Sequence, residues 1–530
     1  MEIQRIPFNK ISQLSSKDIA YATNAPELRP FFKYEVKLDA FADVIEDKKQ
    51  DKINRDMLVK TLKDQYARYE TTELVQQNIE ALAHEHTFTV VTAHQPSLFT
   101  GPLYYIYKIM SVINLAKQLN EHYPDYKIVP VFVSGGEDHD FEEVNHANIF
   151  GKTVIWENNE TGSVGKMKTK SLEPVLKDID EILGGSDRAR AIFDMLHTAY
   201  TSHEVYTDAT IHLVNELFKE FGLVVLDMNN AALKRLFAPY IKKELVEQPS
   251  KTLVEATTLQ LEEAGFSGQA YAREINFFYL DDQIRERIIF EDGYYHVNNT
   301  DIRFSESELL EEVDKHPEHF SPNVVMRPIY QEGILPNLAY IGGGGELAYW
   351  LERKEQFKHF GLNFPMLIRR NSVLWIDKGS VKKMQKLDFT LEDLLKDTEV
   401  LIKAYVKENT EKELSLSDEK GRLQAIYDEV KEKAEAIDKT LVKTVLAEGA
   451  KQLNSLENLE SKLLRAEKQR HDISINQIRS LKDKLFPDNG LQERTDNFIQ
   501  FYLKHGKEYF QILKDHLNPL EKGFIVITES

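Results

Sequence analysis

Between Phe88 and Gln118 the hydrophobic pattern changes period. Phe88 to Thr92 is a short, largely β-branched run, which predicts a strand buried on both faces. A polar turn, Ala93-His94-Gln95-Pro96-Ser97, and a break at Thr100-Gly101-Pro102 follow. Leu103, Tyr104, Tyr107, Ile109, Met110, Ile113 and Leu115 then recur at helical spacing up to Lys117. Further apolar runs at Lys127 to Val133, Gly222 to Asp227, Leu338 to Ile341 and Phe364 to Arg369 predict more strands of the same kind. Helical patterns lie between them, at Leu172 to Leu183, Ala189 to Tyr200, Ile211 to Phe221, Leu233 to Glu247, Val254 to Ala264 and Glu346 to Phe357. Strands alternating with helices predict an α/β fold, a Rossmann-like doubly wound parallel sheet. Such sheets take ligands at the carboxyl ends of their strands.

Other stretches depart from this alternation. Residues before 85 read as mostly helical after a short start, with helices near Arg55 to Tyr69 and Glu73 to His84. Phe277 to Leu280, Arg287 to Glu291, Tyr294 to Val297 and Ile302 to Phe304 are short runs joined by Asp-Asp and Asp-Gly turns, a small antiparallel insertion. From Val381 the chain is nearly all helix. Leu456, Leu459, Leu463, Ala466, Ile473, Ile478, Leu481 and Leu485 approximate a heptad seam, so a coiled coil or long helical hairpin is expected. Pro487-Asp488-Asn489-Gly490 stops it, a last helix runs from Arg494 to Leu517, and Gly523 to Thr528 is a terminal strand.

The expected division is therefore a Rossmann-like core begun in 1–150 with N-terminal helices, a first insertion at 151–205, and a core strand and helix at 206–235. A second insertion follows at 236–320, then the end of the core at 321–378, a helical coiled coil at 379–517 and a strand at 518–530.

Composition narrows the function. The chain has 530 residues, 42% of them hydrophobic, enough for two or more buried cores. A formal charge of −19 repels phosphate backbones and argues against nucleic acid as a partner. With no cysteine, thiolate metal sites, disulfides and a cysteine nucleophile are excluded. Neither a signal peptide nor a window of about 20 apolar residues is seen, so a cytoplasmic protein with no membrane partner is expected.

Candidate chemistry sits at the strand ends. His94, Gln95, Ser97 and Gly101 follow the first strand, with Tyr104 opening the helix. The second strand runs into Gly135-Gly136 and then Glu137, Asp138, His139, Asp140, Glu142 and His146. These acids and imidazoles could hold a divalent metal, but their spacing matches no metal motif. General-base work or recognition of a substrate amine is the favoured reading, with no dedicated metal. Gly342 to Gly345 precede a helix, where free amides suit a phosphate or carboxylate. A tight turn needing positive φ is the alternative. Glu332, Asn337, Tyr340, Gly343, Gly344, Glu346 and Tyr349 crowd that turn. Arg369 and Arg370 at the last strand end, with Asn371, fit a substrate carboxylate.

Three of these segments resemble one family. Thr92 to Lys108 (TAHQPSLFTGPLYYIYK), Gly136 to His146 (GEDHDFEEVNH) and Arg327 to Trp350 (RPIYQEGILPNLAYIGGGGELAYW) are similar to the cysteine ligases of bacillithiol biosynthesis. The resemblance implies a nucleotidyl-transferase-like core with two inserted connecting regions and a coiled coil that closes a homodimer. It implies a ligase that joins L-cysteine to glucosaminyl-malate through an amide bond. Activating a free carboxylate would call on ATP or another nucleotide, with magnesium. His94 and the glycine turn would then hold the nucleotide, and Asp138, His139 or Asp140 would deprotonate the sugar amine. Glu332 and Glu346 would hold the cysteine ammonium or sugar hydroxyls. A nucleotidyl transferase or adenylate-forming enzyme with another acceptor, and a non-catalytic scaffold, remain the alternatives.

Overall fold

The computed structural model describes residues 1–281, 283–409 and 415–530. Half of the expected Asp-Asp turn, residue 282, and the stretch 410–414 of the expected helical region lie outside the described residues.

The chain forms two compact units, one of residues 2–375 and 491–527, the other of residue 1, 376–490 and 528–530. At the centre of the larger unit is a five-stranded sheet, all parallel: β1 (Thr87–His94), β2 (Lys127–Ser134), β3 (Val224–Asp227), β4 (Asn337–Gly342) and β5 (Met366–Arg369). Across the sheet the order is β5-β4-β1-β2-β3. The direction of winding reverses between β1 and β4, and the crevice above that point is where open α/β sheets bind ligands. Helix α1 (Tyr104–His122) crosses from β1 to β2, and Tyr105 to Ala116 are buried along it without a break. That explains why the first apolar pattern is so dense.

One residue in the sheet looks out of place. Pro130 stands inside β2, a central strand, where a missing N–H should break the ladder. It pairs with Val90 of β1, but β3 joins β2 only from Val131 onward. The proline therefore occupies a stretch of β2 whose second edge β3 has not yet reached.

The second insertion contains α2 (Ala231–Glu247) and a five-stranded antiparallel sheet. Its strands are Phe277–Asp281, Ile284–Glu291, Tyr294–Val297, Arg303–Phe304 and Phe320–Pro322. Asp292 and Gly293 both have positive φ, as a two-residue hairpin turn requires. In a third sheet the start of the chain, Glu2–Ile6, lies beside Phe524–Thr528, which is flanked on its other side by Val373–Ile376. The short start of the chain is thus a strand.

The smaller unit is helical. α5 (Ser417–Ile437) and α6 (Leu441–Arg470) form an antiparallel hairpin, tied by Lys420 to Glu460 at 2.6 Å and tight where Gly449 meets the ring of Tyr427. α7 (Asp472–Leu485) follows. The single seam expected from the heptads divides here. Ile478, Leu481 and Leu485 are buried, whereas Leu459, Leu463 and Ile473 are exposed. The last expected helix also divides, into Ile499–His505 and Glu508–His516, at Gly506 with its positive φ. Both pieces pack with the larger unit rather than extending the coiled coil.

Candidate active site

The carboxyl ends of β1 and β2 and the helix after β4 converge on one cleft of about 460 Å³. His94 is the last residue of β1. Its Nε2 lies 3.3 Å from the Tyr104 hydroxyl, and its ring packs edge-on against Tyr104 and Tyr105. Burial, and then the nearby Lys108 charge, push its pKa down to about 3. His94 is therefore a neutral imidazole that can exchange hydrogen bonds with a ligand but has little power as a base.

Across the switch point, helix α4 (Gly344–Trp350) starts from the glycine turn. Glu346 folds back on it. Its Oε2 accepts from the Gly343 amide at 2.9 Å, and its Oε1 accepts from Lys108 at 2.8 Å and Tyr340 at 2.8 Å. Burial raises the Glu346 pKa, but Lys108, His94 and the Gly343 amide outweigh it and hold the value at about 2. The carboxylate of Asp18 presses on Gly344 and is held by Arg369, with Nε to Oδ1 at 2.6 Å and Nη2 to Oδ2 at 3.0 Å. Two carboxylates thus already occupy the start of this helix, and the turn does not fit a phosphate. The tight-turn alternative fails as well, since none of Gly342 to Gly345 has positive φ. The glycines are there for close approach: a Cβ on Gly344 would strike Asp18, and one on Gly342 would sit 3.0 Å from the Tyr340 ring.

The acidic loop after β2 is held from three sides. Glu137 is buried, pairs with Lys234 of α2 and accepts from Ser321 at 3.0 Å. Asp138 accepts from Gln95 at 2.6 Å and lies 3.6 Å from Arg285. Burial raises its pKa, yet Arg285, Gln95 and the His139 amide bring it below the ordinary carboxylate value. Arg285 lies over the ring of Phe278 at 3.9 Å and donates to His139 Nδ1 at 2.6 Å. Because Nδ1 is the acceptor, the neutral ring carries its proton on Nε2, and His139 is poorly placed to act as the base. Glu143 takes that place. It lines the cleft with an exposed side chain, and its partial desolvation together with Asp140 and Asp138 raises its pKa above the ordinary value.

Arg327, from helix α3 (Arg327–Ile334), lines the same cleft. Its guanidinium donates to the Tyr349 hydroxyl at 2.7 Å and the Gln331 amide oxygen at 3.3 Å. It also lies 5.7 Å from the Tyr340 ring. Burial opposes its charge, but Tyr349, Tyr340 and Glu346 overcome that and keep it cationic. Both hydrogen bonds go to neutral groups, so the charge is available to an anion in the cleft.

Of the residues expected at the site, His94, Gln95, Glu137, Asp138, Glu346 and Tyr349 line the cleft. Tyr104, Tyr340 and Gly343 stand behind it, holding His94 or Glu346. His139 lies at its edge through Arg285. The others are elsewhere. Ser97 and Gly101 are built into the turn under α1, where Asn497 donates to the Gly101 carbonyl at 2.7 Å. Asp140 and Glu142 are exposed, and His146 starts a small edge strand. Asn371 is buried and bonded to Ser111 and Asn518. Arg369 is committed to Asp18 and Arg370 to Glu493 at 2.8 Å, which leaves neither for a substrate carboxylate. Glu332 and Asn337 lie at the amino end of β4, the opposite edge of the sheet, bonded to each other at 2.7 Å beside Lys48. Arg285, Arg327, Glu143 and Lys108 were missed. Lys108, Arg327 and Glu143 had a signal, each standing within a segment that carries the resemblance, whereas Arg285 had none.

Comparison with known proteins agrees with this architecture. Two family models match: "Bacillithiol biosynthesis BshC, N-terminal Rossmann-like domain" over residues 1–371, and the C-terminal coiled-coil domain of the same description over residues 373–529. A protein of Flavobacterium psychrophilum named "Putative cysteine ligase BshC" is 43% identical over 525 residues, 98% of each chain. The protein of that name from Flavobacterium johnsoniae is 43% identical over 510 residues, 96% of each chain. One from Bacillus cereus is 29% identical over 522 residues, again covering 95% of each. Among the described residues, no helix is long and apolar enough to cross a membrane.

Proposed function

This chain belongs to the BshC family of bacillithiol biosynthesis, and we propose that its cleft joins L-cysteine to glucosaminyl-malate through an amide bond. The observation that carries the reading is that one cleft is lined both by a charged arginine, Arg327, and by the carboxylates of Asp138 and Glu143. Glucosaminyl-malate carries carboxylates at one end and an amine at the other. Arg327 receives the malyl carboxylates, and the Asp138 and Glu143 carboxylates receive the amine.

The residues then divide the work. Asp138, low in pKa and fixed by Gln95 and Arg285, holds the substrate ammonium. Glu143, raised in pKa, takes the proton as the nitrogen attacks the activated carboxyl carbon, so that the amide forms and the bond from that carbon to the phosphate or nucleotidyl oxygen breaks. Neutral His94 and the Glu346 network orient the carboxyl group. ATP or another nucleotide, as magnesium complex and co-substrate, supplies activation of the cysteine carboxyl. The glycine turn does not suit its phosphates, whereas Arg285 is a cation on the cleft wall. The enzyme works as a homodimer closed by the helical hairpin.

The test is direct. Purified protein is incubated with ATP, magnesium, cysteine and glucosaminyl-malate, and the cysteinylated product is sought by mass spectrometry. Its appearance, dependent on all four, is expected. Absence of product, with no thermal shift from any of these ligands, overturns the reading. Recovery of the adenylate of a different acid would move the assignment to an adenylate-forming enzyme with another acceptor.

A further inference from the structure

Beyond the cleft, the turn after helix Glu306–Lys315 reads His316-Pro317-Glu318-His319 and winds as a single 3-10 turn. That winding places residues three apart over one another. His316 and His319 accordingly stack, with ring centroids 5.0 Å apart and planes 17° from parallel. One donor atom from each of His316, Glu318 and His319 lies within 4.8 Å of the other two. A carboxylate stands behind the His319 ring. Glu312 Oε1 is 2.7 Å from His319 Nδ1 and accepts from the Tyr279 hydroxyl at 2.9 Å. Glu318 Oε1 is 3.3 Å from His316 Nδ1. A carboxylate on the far nitrogen is what fixes the tautomer and aim of a metal-bound imidazole.

We propose that this turn binds one divalent transition-metal ion of the zinc class, through His316, His319 and Glu318, with Glu312 orienting His319. Two imidazoles and a carboxylate suit zinc, cobalt or nickel rather than magnesium or calcium, which prefer all-oxygen shells. A tetrahedral shell places its donors about 3.3 Å apart, from metal–nitrogen bonds near 2.0 Å, so small side-chain rotations close the site. The His316 side chain is 50% exposed, which gives the ion a way in and leaves the fourth position to water. The turn is also wired to the cleft. Lys234, which pairs with Glu137, donates to the Glu318 carbonyl at 3.1 Å, and the strand Phe320–Pro322 that lines the cleft begins at the next residue. An ion here would anchor that strand without touching substrate.

The test uses the full chain, purified without a histidine tag, titrated calorimetrically with zinc chloride and optically with cobalt chloride near neutral pH. One saturable equivalent is expected, with a tetrahedral cobalt spectrum free of sulfur bands because the chain has no cysteine. Magnesium should give no response. Glu312→Gln should keep the stoichiometry and weaken affinity about 10-fold to 100-fold. The double variant His316→Gln/His319→Gln should lose the saturable equivalent, with circular dichroism checking that it folds. Binding that does not saturate, or that is equal in wild type and double variant, overturns the proposal, since it would be spread over the other surface histidines. Should the double variant not fold, an unchanged affinity in Glu312→Gln together with an octahedral cobalt spectrum overturns it equally.

Discussion

Arg327 and Glu143 carry separable parts of the reaction, and their replacement should show it. Arg327→Gln keeps a hydrogen-bonding side chain but removes the charge that pairs with the malyl carboxylates. Loss of one charge-assisted, bidentate contact is worth roughly 1.5–3 kcal/mol, so KM for glucosaminyl-malate should rise about 10-fold to 100-fold with kcat less affected. Steady-state kinetics with that substrate varied decides it, and a fall confined to kcat would place Arg327 elsewhere in the mechanism. Glu143→Gln should do the reverse and lower kcat about 100-fold or more at unchanged KM. The pH profile gives its sign. A base works only when ionised, so activity should rise with pH as Glu143 loses its proton. Because partial desolvation and the neighbouring Asp140 and Asp138 raise its pKa, that limb should lie above the ordinary carboxylate range. In Glu143→Gln the limb should vanish. What the sequence revealed at this scale follows from position. His94 and Asp138 stand directly after apolar strands, where a core has no use for them. Glu143 is one more acid among several, and Arg285 arrives from a hairpin nearly 150 residues away from Asp138, with no spacing to betray it. Glu332 and Asn337 misled because nearness to the glycine turn in sequence says nothing about which end of β4 a residue occupies.

At the scale of elements, the strands were legible because a parallel strand buried on both faces is an uninterrupted apolar run. Their order was not legible, since it depends on where each crossover lands. The clip that holds the acidic loop was also hidden. The first insertion lays Ser163 to Lys166 against it, with Val164 donating to the Asp138 carbonyl at 2.7 Å and Gly165 to the Gly136 carbonyl at 2.8 Å. The two chains pass so closely that a Cβ on Gly136 would strike the Thr207 hydroxyl, and one on Gly165 would lie 2.6 Å from the Gly136 carbonyl. Glycine here answers to proximity alone, because neither residue has positive φ. Gly136→Ala should therefore push the loop outward, at a cost of about 1–3 kcal/mol, and shift Asp138 relative to Gln95 and Arg285. Thermal denaturation should fall by a few degrees while activity drops much further. Combining it with Thr207→Ser, which keeps the hydroxyl, should restore little, whereas Thr207→Gly, which removes the colliding atom, should recover part of the lost activity. Full activity in Gly136→Ala alone would show that the close approach is not needed.

For the molecule as a whole, the helical unit poses the largest unmet demand. Ile426, Val430 and Ile437 on α5, with Leu446, Leu459 and Leu463 on α6, are exposed on otherwise charged helices. A hairpin of two helices buries one stripe of each helix, and the heptad pattern of this chain writes more apolar positions than that stripe uses. This is why the seam read from sequence divides in the structure: Ile478, Leu481 and Leu485 on α7 are buried within the chain, whereas Leu459 and Leu463 on α6 and Ile473 at the start of α7 face solvent. Exposed apolar residues repeated along these helices offer an interaction surface, and a second copy is the partner that needs no further gene product. The chain should therefore sediment as a dimer at micromolar concentration. Leu459→Glu with Leu463→Glu places like charges across a symmetric seam, each desolvated on closing, and should yield a monomer of unchanged helix content. Sedimentation equilibrium measures this, and the product assay on the same samples tells whether the cleft works in a single copy. Deprived of the seam, the monomer should lose thermal stability. A wild-type chain that stays monomeric at every concentration would leave those leucines waiting for a different protein.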